Sequence, residues 1–375
     1  MFAILVAMVN LPNVQDTIDP GRLESAVEKL SSFHTRNTFS PILNDAAVWL
    51  AGEYRKIAGL QVELMKYTLP KGRRIPEEKE IVQVIATLPG EDDRILIVGG
   101  HMDSLNLQGG IDARAPGAND DASGTALALE VARAMAESKW KHTIKFVGWT
   151  GEEQGLHGSR AMAKKAKAEG WKIDAVVSND TVGSSSNKNG QKDDKQARVF
   201  SELSETHDSR ELARFIAWLV RDGKFGVKLV FRKDRFGRGG DHSPFNDEGF
   251  AGVRFVEVHE EYTRQHTADD LPEHMDFSYL ANVARVNLQV LSALANAGTP
   301  PTDLEIDRRQ GHDTTVRWKG QPGASYVVYW RRTTSPVWEE SIAVGEGSEA
   351  TVVKVNKDDH VFAVGAVGGI PVEAK

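Results

Sequence analysis

RILIVGGHMDS, residues 94–104, is the stretch on which the fold turns. An apolar run of strand length, 94–99, leads into Gly100 and then presents His101 and Asp103. A run apolar at successive positions suits a strand buried on both faces, as parallel sheets require. Working outward, the pattern alternates. Residues 123–138 are helical and rich in Ala, Leu and Met, 143–150 read as strand, 159–168 as helix and 173–179 as strand. Residues 210–220 are helical, 227–231 and 253–258 are strands, and 279–295 form a long closing helix. Upstream, 61–68 and 81–88 are strand-like. Asp19-Pro20 starts a helix carrying Leu23, Val27 and Leu30, and 44–57 forms another with Ala47, Leu50 and Tyr54 on one face. Such alternation predicts an α/β layered fold with a largely parallel sheet.

The 375 residues change character near 298. Gly298-Thr299-Pro300-Pro301 is a linker signal, and beyond it 314–318, 325–331, 350–355 and 360–367 are short β-type runs separated by Gly, Pro and Ser. The expected division is therefore an α/β domain, 1–297, and a small all-β sandwich, 298–375. Residues 184–195, rich in Ser, Asn and Lys, read as a mobile surface loop. The apolar start, 1–9, is either a remnant of a signal-peptide core or a strand of the main sheet. No stretch is long enough to span a bilayer.

A net charge of −7 with signs mixed along the chain argues against a nucleic-acid partner, which would need a basic face. With no cysteine, thiolate chemistry is excluded, and a metal would have to sit on His, Asp and Glu.

Such residues collect where strands should end, the place where ligands gather in open α/β sheets. His101 and Asp103, two apart in extended backbone, share a face, so His101 could ligate a metal while Asp103 holds its ring. A loop histidine bonded to an aspartate has the same sequence. Asn119-Asp120-Asp121 precedes the Ala-rich helix, where a carboxylate could bridge two cations or simply cap the helix. Glu152-Glu153 follows the strand 143–150. Paired glutamates there are unfavourable without a positive neighbour. A metal on Glu153 would supply one and leave Glu152 as a general base; a solvated acidic turn is the plain alternative. Asn179-Asp180 ends the strand 173–179, and His266 lies in Arg264-Gln265-His266-Thr267-Ala268-Asp269-Asp270, where Asp269 or Asp270 could cap the next segment. All-nitrogen-and-oxygen ligation suits zinc.

His101-Met102-Asp103-Ser104, Asn119-Asp120-Asp121, Gly151-Glu152-Glu153-Gln154-Gly155, Asn179-Asp180 and His266-Thr267 together resemble, in order and spacing, the motif set of the M28 family of zinc aminopeptidases across residues 20–297. The resemblance implies a three-layer α/β/α zinc-exopeptidase fold with a mostly parallel mixed sheet. It implies two zinc ions per chain, His101 and Asp180 holding one, Glu153 and His266 the other, and Asp120 bridging both. Glu152 would be the base, Asp103 would orient His101, and the Asp120–Asp121 peptide would be cis. Peptides would be the substrates, with their free amine met by Glu152 and Asp180, and no obligate protein partner is implied. An extracytoplasmic location follows from family habit.

One position departs from the pattern. Many relatives carry Tyr just before the last histidine to help stabilise the oxyanion; this chain has Gln265, whose amide can donate, and Tyr262 is a second candidate. Asp241-His242-Ser243-Pro244-Phe245 resembles a family loop near the substrate pocket, so His242 either contacts substrate or pairs with Asp241. The rivals are a carboxypeptidase or dipeptidase on the same scaffold, a glutaminyl cyclase-like acyltransferase with one zinc, and a non-enzymatic relative, although the last usually loses its ligands. The C-terminal part resembles a fibronectin type III module, with Val316 and Trp318 facing inward, Phe362, Val364 and Ala366 on a late strand, and His360 where the pattern has Tyr.

Overall fold

The computed structural model describes residues 17–72 and 75–374; the two readings of 1–9 lie outside them. In chain order the elements begin with α1 (Pro20–Ser32), α2 (Ile42–Arg55), β1 (Gln61–Leu69), β2 (Lys79–Leu88) and β3 (Arg94–His101). They continue with α3 (Ser123–Met135), β4 (Thr143–Trp149), α4 (His157–Ala168), β5 (Lys172–Asn179), β6 (Gln196–Phe200), α5 (Ser209–Val220), β7 (Gly226–Val230), α6 (Ser243–Asp247), β8 (Gly252–Val256) and α7 (Phe277–Ala295). Then come β9 (Thr302–Ile306), β10 (Thr314–Lys319), β11 (Tyr326–Arg332), β12 (Glu340–Gly345), β13 (Glu349–Val352), β14 (His360–Ala366) and β15 (Val372–Glu373).

Eight strands form one sheet in the order β1-β2-β4-β3-β5-β8-β6-β7. Its centre, β4-β3-β5-β8, is parallel throughout, while β1, β2 and the β6–β8 pairing are antiparallel. Along β3 the side chains alternate between two cores. Leu96 and Val98 face the core shared with α1, α2, α3, α5 and α7, and Ile95 and Ile97 face the smaller core against α4 and α6. That two-sided burial is why β3 reads as a continuous apolar run. At the start of α1 the Asp19 side chain accepts from the Gly21 amide at 2.8 Å, with Pro20 in the first turn.

β9 to β15 form two antiparallel sheets, β13-β10-β9 and β12-β11-β14-β15. Val316, Trp318 and Val352 of one meet Tyr326, Val328, Phe362 and Val364 of the other in a shared core. His360 Nδ1 lies 3.0 Å from the Asn356 carbonyl, so a ring nitrogen makes a corner bond to backbone just upstream. This module rests on α5: Trp218 meets Tyr329 edge-on, ring centres 5.4 Å apart, and Trp338 completes the cluster.

Two expectations change. The short, half-polar β6 gave no strand signal, and its partners β7 and β8 define it. Within 184–195, Ser184 and Ser185 are buried, the Ser184 amide donating to Glu257 at 2.8 Å and the Ser185 hydroxyl to Asp276 at 2.7 Å. Beyond them the segment is exposed or half-buried, as a surface loop would be. Among the described residues no helix is long and apolar enough to cross a membrane.

Candidate metal centre

Because β3, β4 and β5 run parallel side by side, their carboxyl ends share one edge of the sheet. β3 ends on His101, β4 leads into Gly151-Glu152-Glu153, and β5 leads into Asp180. Asp120 lies in a kinked turn, Ala118–Ala122, between β3 and α3, where Asp120 and Asp121 have non-helical backbone and the peptide between them is cis. His266 enters on the loop after β8, in left-handed backbone at φ 59°.

These residues meet. Asp120 Oδ1 is 3.1 Å from His101 Nε2, and its other oxygen, Oδ2, is 3.0 Å from His266 Nε2. Glu153 Oε2 is 3.1 Å from His266 Nε2, and Asp180 Oδ2 is 3.7 Å from His101 Nε2. Potential ligand atoms of His101, Asp120 and Glu153 all lie within 4.8 Å of one another, as do those of His101, Asp121 and Asp180.

The supporting shell differs from expectation in one respect. His101 Nδ1 is 3.0 Å from the Asp103 main-chain carbonyl and 3.6 Å from its carboxylate. The carboxylate instead gathers the glutamate turn. Oδ1 accepts from the amides of Gly151 (2.9 Å) and Glu152 (3.3 Å), and Oδ2 from the Glu153 amide (3.2 Å) and the Thr38 hydroxyl (3.1 Å). Asp103 therefore couples His101 to the turn carrying both glutamates. Asp270, read only as a cap from the sequence, accepts from the Asn119 and Asp120 amides at 3.0 Å each and so fixes the turn that aims Asp120.

Asp121 accepts from the His101 amide at 3.0 Å and the Gly124 amide at 2.8 Å. A Cβ on Gly124 would come within 2.0 Å of the Asn179 carbonyl, and one on Gly100 within 2.5 Å of Asp121 Oδ2. The glycines let β3, β5 and α3 close tightly around the centre. Arg254, wholly buried on β8, reaches Asp180 Oδ2 and Asp234 Oδ2 at 2.9 Å each. Sequence reading passed over it, although a charge inside Gly-Val-Arg-Phe-Val on a fully buried strand is a signal in itself.

The electrostatics describe a site short of positive charge. Burial drives the Glu152 carboxyl well above the usual carboxylate range, with Asp180, Glu153 and Asp241 adding to the rise. Glu153 is pushed up to about 7 by burial and by Asp120. The imidazoles rise as well, for a different reason: burial opposes it, yet Asp120 and Glu153 hold His266 up at about 10, and Asp103, Asp120 and Asp180 lift His101 well above its ordinary value. Protons are thus recruited to do what a cation would do. Glu153 Oε1 is buried with no hydrogen-bond partner, and His266 Nε2 faces two carboxylates without hydrogen-bond geometry. Orphaned buried donors and acceptors around convergent nitrogen and oxygen atoms fit a divalent metal.

Gln265 donates from Nε2 to Asp120 Oδ2 at 2.6 Å and accepts from Arg238 at 3.2 Å, which places its amide at the centre. Tyr262 is 60% exposed and donates to Glu260 at 3.0 Å. His242 is buried with Nε2 2.7 Å from the Lys233 carbonyl, and it does not pair with Asp241. Asp241 is itself buried and raised to about 7, chiefly by burial. A narrow cleft opens beside Asp120 and Gln265, walled by Glu257, Glu260, Arg264 and Met275 among others.

Residues 83–291 match peptidase family M28. A probable zinc metalloprotease of the fungus Leptosphaeria maculans is 35% identical over 94% of this chain and 93% of its own length. Among solved structures, LapB of Legionella pneumophila superposes with a TM-score of 0.61 at 22% identity, covering 74% of this chain and 72% of its own. An aminopeptidase from Aneurinibacillus sp. strain AM-1 does so at 0.60 and 17% identity, covering 76% and 96%. At those identities the structures speak for a shared fold. The family match takes in every residue of the convergent cluster, and together with a full-length relative above one-third identity it establishes that this chain belongs to peptidase family M28.

Proposed function

We propose that the chain is a co-catalytic dizinc exopeptidase, an aminopeptidase that releases N-terminal residues from peptides. One observation carries the reading: the two oxygens of Asp120 address two different imidazoles, Oδ1 toward His101 and Oδ2 toward His266. A single bridging carboxylate suits a pair of cations, with His101 and Asp180 serving one and Glu153 and His266 the other. The fungal relative is a probable zinc metalloprotease, and the donor set of imidazoles and carboxylates suits zinc.

Bound there, zinc would polarise the scissile carbonyl and make water nucleophilic near neutral pH. Glu152 acts as general base, taking the proton of the attacking water and passing it to the departing amine; its burial raises its affinity for that proton. Asp103 holds the backbone of Gly151, Glu152 and Glu153 and so aims the base. Gln265 offers an amide donor for the developing oxyanion. Glu152 and Asp180 meet the free amine of the substrate.

Metal analysis paired with a panel of aminoacyl and N-blocked peptides tests this. The expected result is two zinc ions per chain, with turnover confined to free-amine substrates. Cleavage of N-blocked peptides would point to a carboxypeptidase or dipeptidase. One metal per chain with ring-closed products from N-terminal Gln would point to a glutaminyl cyclase-type acyltransferase.

A further inference from the structure

Arg36 lies before the family-matched region 83–291, in a segment between α1 and α2. Its side chain is wholly buried. Among the described residues no carboxylate oxygen stands within ion-pair distance of the guanidinium; its donors go to main-chain carbonyls instead. Nε donates to Met102 at 2.7 Å, Nη2 to Gly117 at 2.8 Å, and Nη1 both to Leu30 at 2.9 Å and to Pro116. Met102 sits between His101 and Asp103, and Gly117 opens the turn that delivers Asp120.

Taking a cation out of water is costly, and a methionine would fill the same space without that cost. The geometry points to what the charge achieves. We infer that Arg36 is a positioning residue that sets the spacing between the His101 loop and the Asp120 turn, and thereby the metal affinity of the centre; this rests on the dizinc reading above. A planar guanidinium has five donors in a fixed fork, so one side chain spans two loops at a defined separation, as an ammonium cannot.

The main chain of the same segment is woven into the same loops. Thr35 pairs with Ala115. The Arg36 amide donates to the Ser104 hydroxyl at 3.0 Å, and the Ser104 amide returns a bond to the Arg36 carbonyl at 3.2 Å. Thr38 donates to Asp103. Gly117, at φ 52°, leaves the guanidinium room: a Cβ there would lie 3.0 Å from Arg36 Nη2 and 2.5 Å from the Asp120 carbonyl. The segment is a strap beneath the centre, with Arg36 as its cross-tie.

The test is zinc affinity, measured by competition with a chromophoric chelator on the folded full chain, for wild type, R36K and R36M, with thermal unfolding of the metal-free proteins in parallel. Both variants should lose about 10- to 100-fold in zinc affinity, the range for residues that orient ligands from behind. R36K should fare no better than R36M, since it restores charge without the fork. Wild-type zinc affinity in folded R36K overturns the inference, whatever the unfolding temperature, because a merely structural role would move only the latter. If R36M does not fold, R36K decides it by the same criterion, and S104A, which cuts a main-chain anchor of the strap, should lose zinc affinity as well. Wild-type protein that takes up no zinc would instead sink the dizinc reading, and this inference with it.

Discussion

Replacing Arg254 with methionine removes a charge while keeping an unbranched chain of similar reach. In the native protein the guanidinium lies between Asp180 and Asp234, with Nη to Oδ2 distances of 2.9 Å on each side, and all three groups are buried. Removing one partner of a buried pair costs about 3–5 kcal/mol, because the remaining charge is left unpaired in a poorly solvated place. Asp234 keeps the Arg235 amide at 2.6 Å and the Arg235 Nε at 3.2 Å, so most of the cost falls on Asp180. Zinc bound at Asp180 would restore a positive neighbour, and the penalty should then shrink. The assay is urea unfolding of wild type and R254M at pH 7, once with chelator and once with zinc.

A pH series adds a second check. Burial pushes both carboxyls up, but Arg254 wins, holding Asp234 at about 2 and Asp180 below the usual range. A carboxyl with a depressed native value contributes its full stability above the unfolded value of about 3.9 and loses it as pH falls through the native one. The unfolded values cancel between the two proteins, and without Arg254 burial leaves the variant's carboxyls raised, so the gap should narrow as pH falls and close at low pH. Metal-free R254M within about 1 kcal/mol of wild type, or a gap that ignores pH below 4, would refute the reasoning.

Three further outcomes are expected. Glu152→Gln should retain zinc by metal analysis and lose about 10²–10⁴ in turnover, the range for a general acid–base group; near-normal turnover with zinc bound would remove Glu152 from its role. A strong chelator should abolish peptide hydrolysis and zinc or cobalt should restore it, so full activity after verified metal removal would contradict the scheme. Trp218→Ala empties the contact of α5 with Tyr329 and Trp338. It should cost about 3–5 kcal/mol as a buried aromatic truncation and raise protease cleavage at 298–301; unchanged stability and cleavage would mean that the contact contributes nothing.

The parts legible in the sequence are those governed by local periodicity and residue chemistry. The apolar run 94–99 marks β3, the Ala-rich stretch after it marks α3, and the acids and imidazoles after strands mark one edge of the sheet. β6 escaped notice because a five-residue strand with two polar members draws its stability from neighbours on both sides, which no local window contains. The buried start of 184–195 escaped for a related reason: serine reads as surface, yet Ser184 and Ser185 are satisfied by Glu257 and Asp276, 73 and 91 residues away.

The same limit applies at the centre. The residue types and their order placed imidazoles and carboxylates at strand ends, and parallel neighbours bring those ends together. Which atom faces which was another matter. That the Asp103 carboxylate serves the glutamate turn more closely than the His101 ring, that Asp270 holds the backbone of Asp120, that Tyr262 turns to Glu260, and that Arg36 and Arg254 support the centre from below are facts of side-chain direction and long-range pairing. Periodicity determines which face a residue occupies. Only the packed chain decides which of several polar neighbours on that face lies within three ångströms.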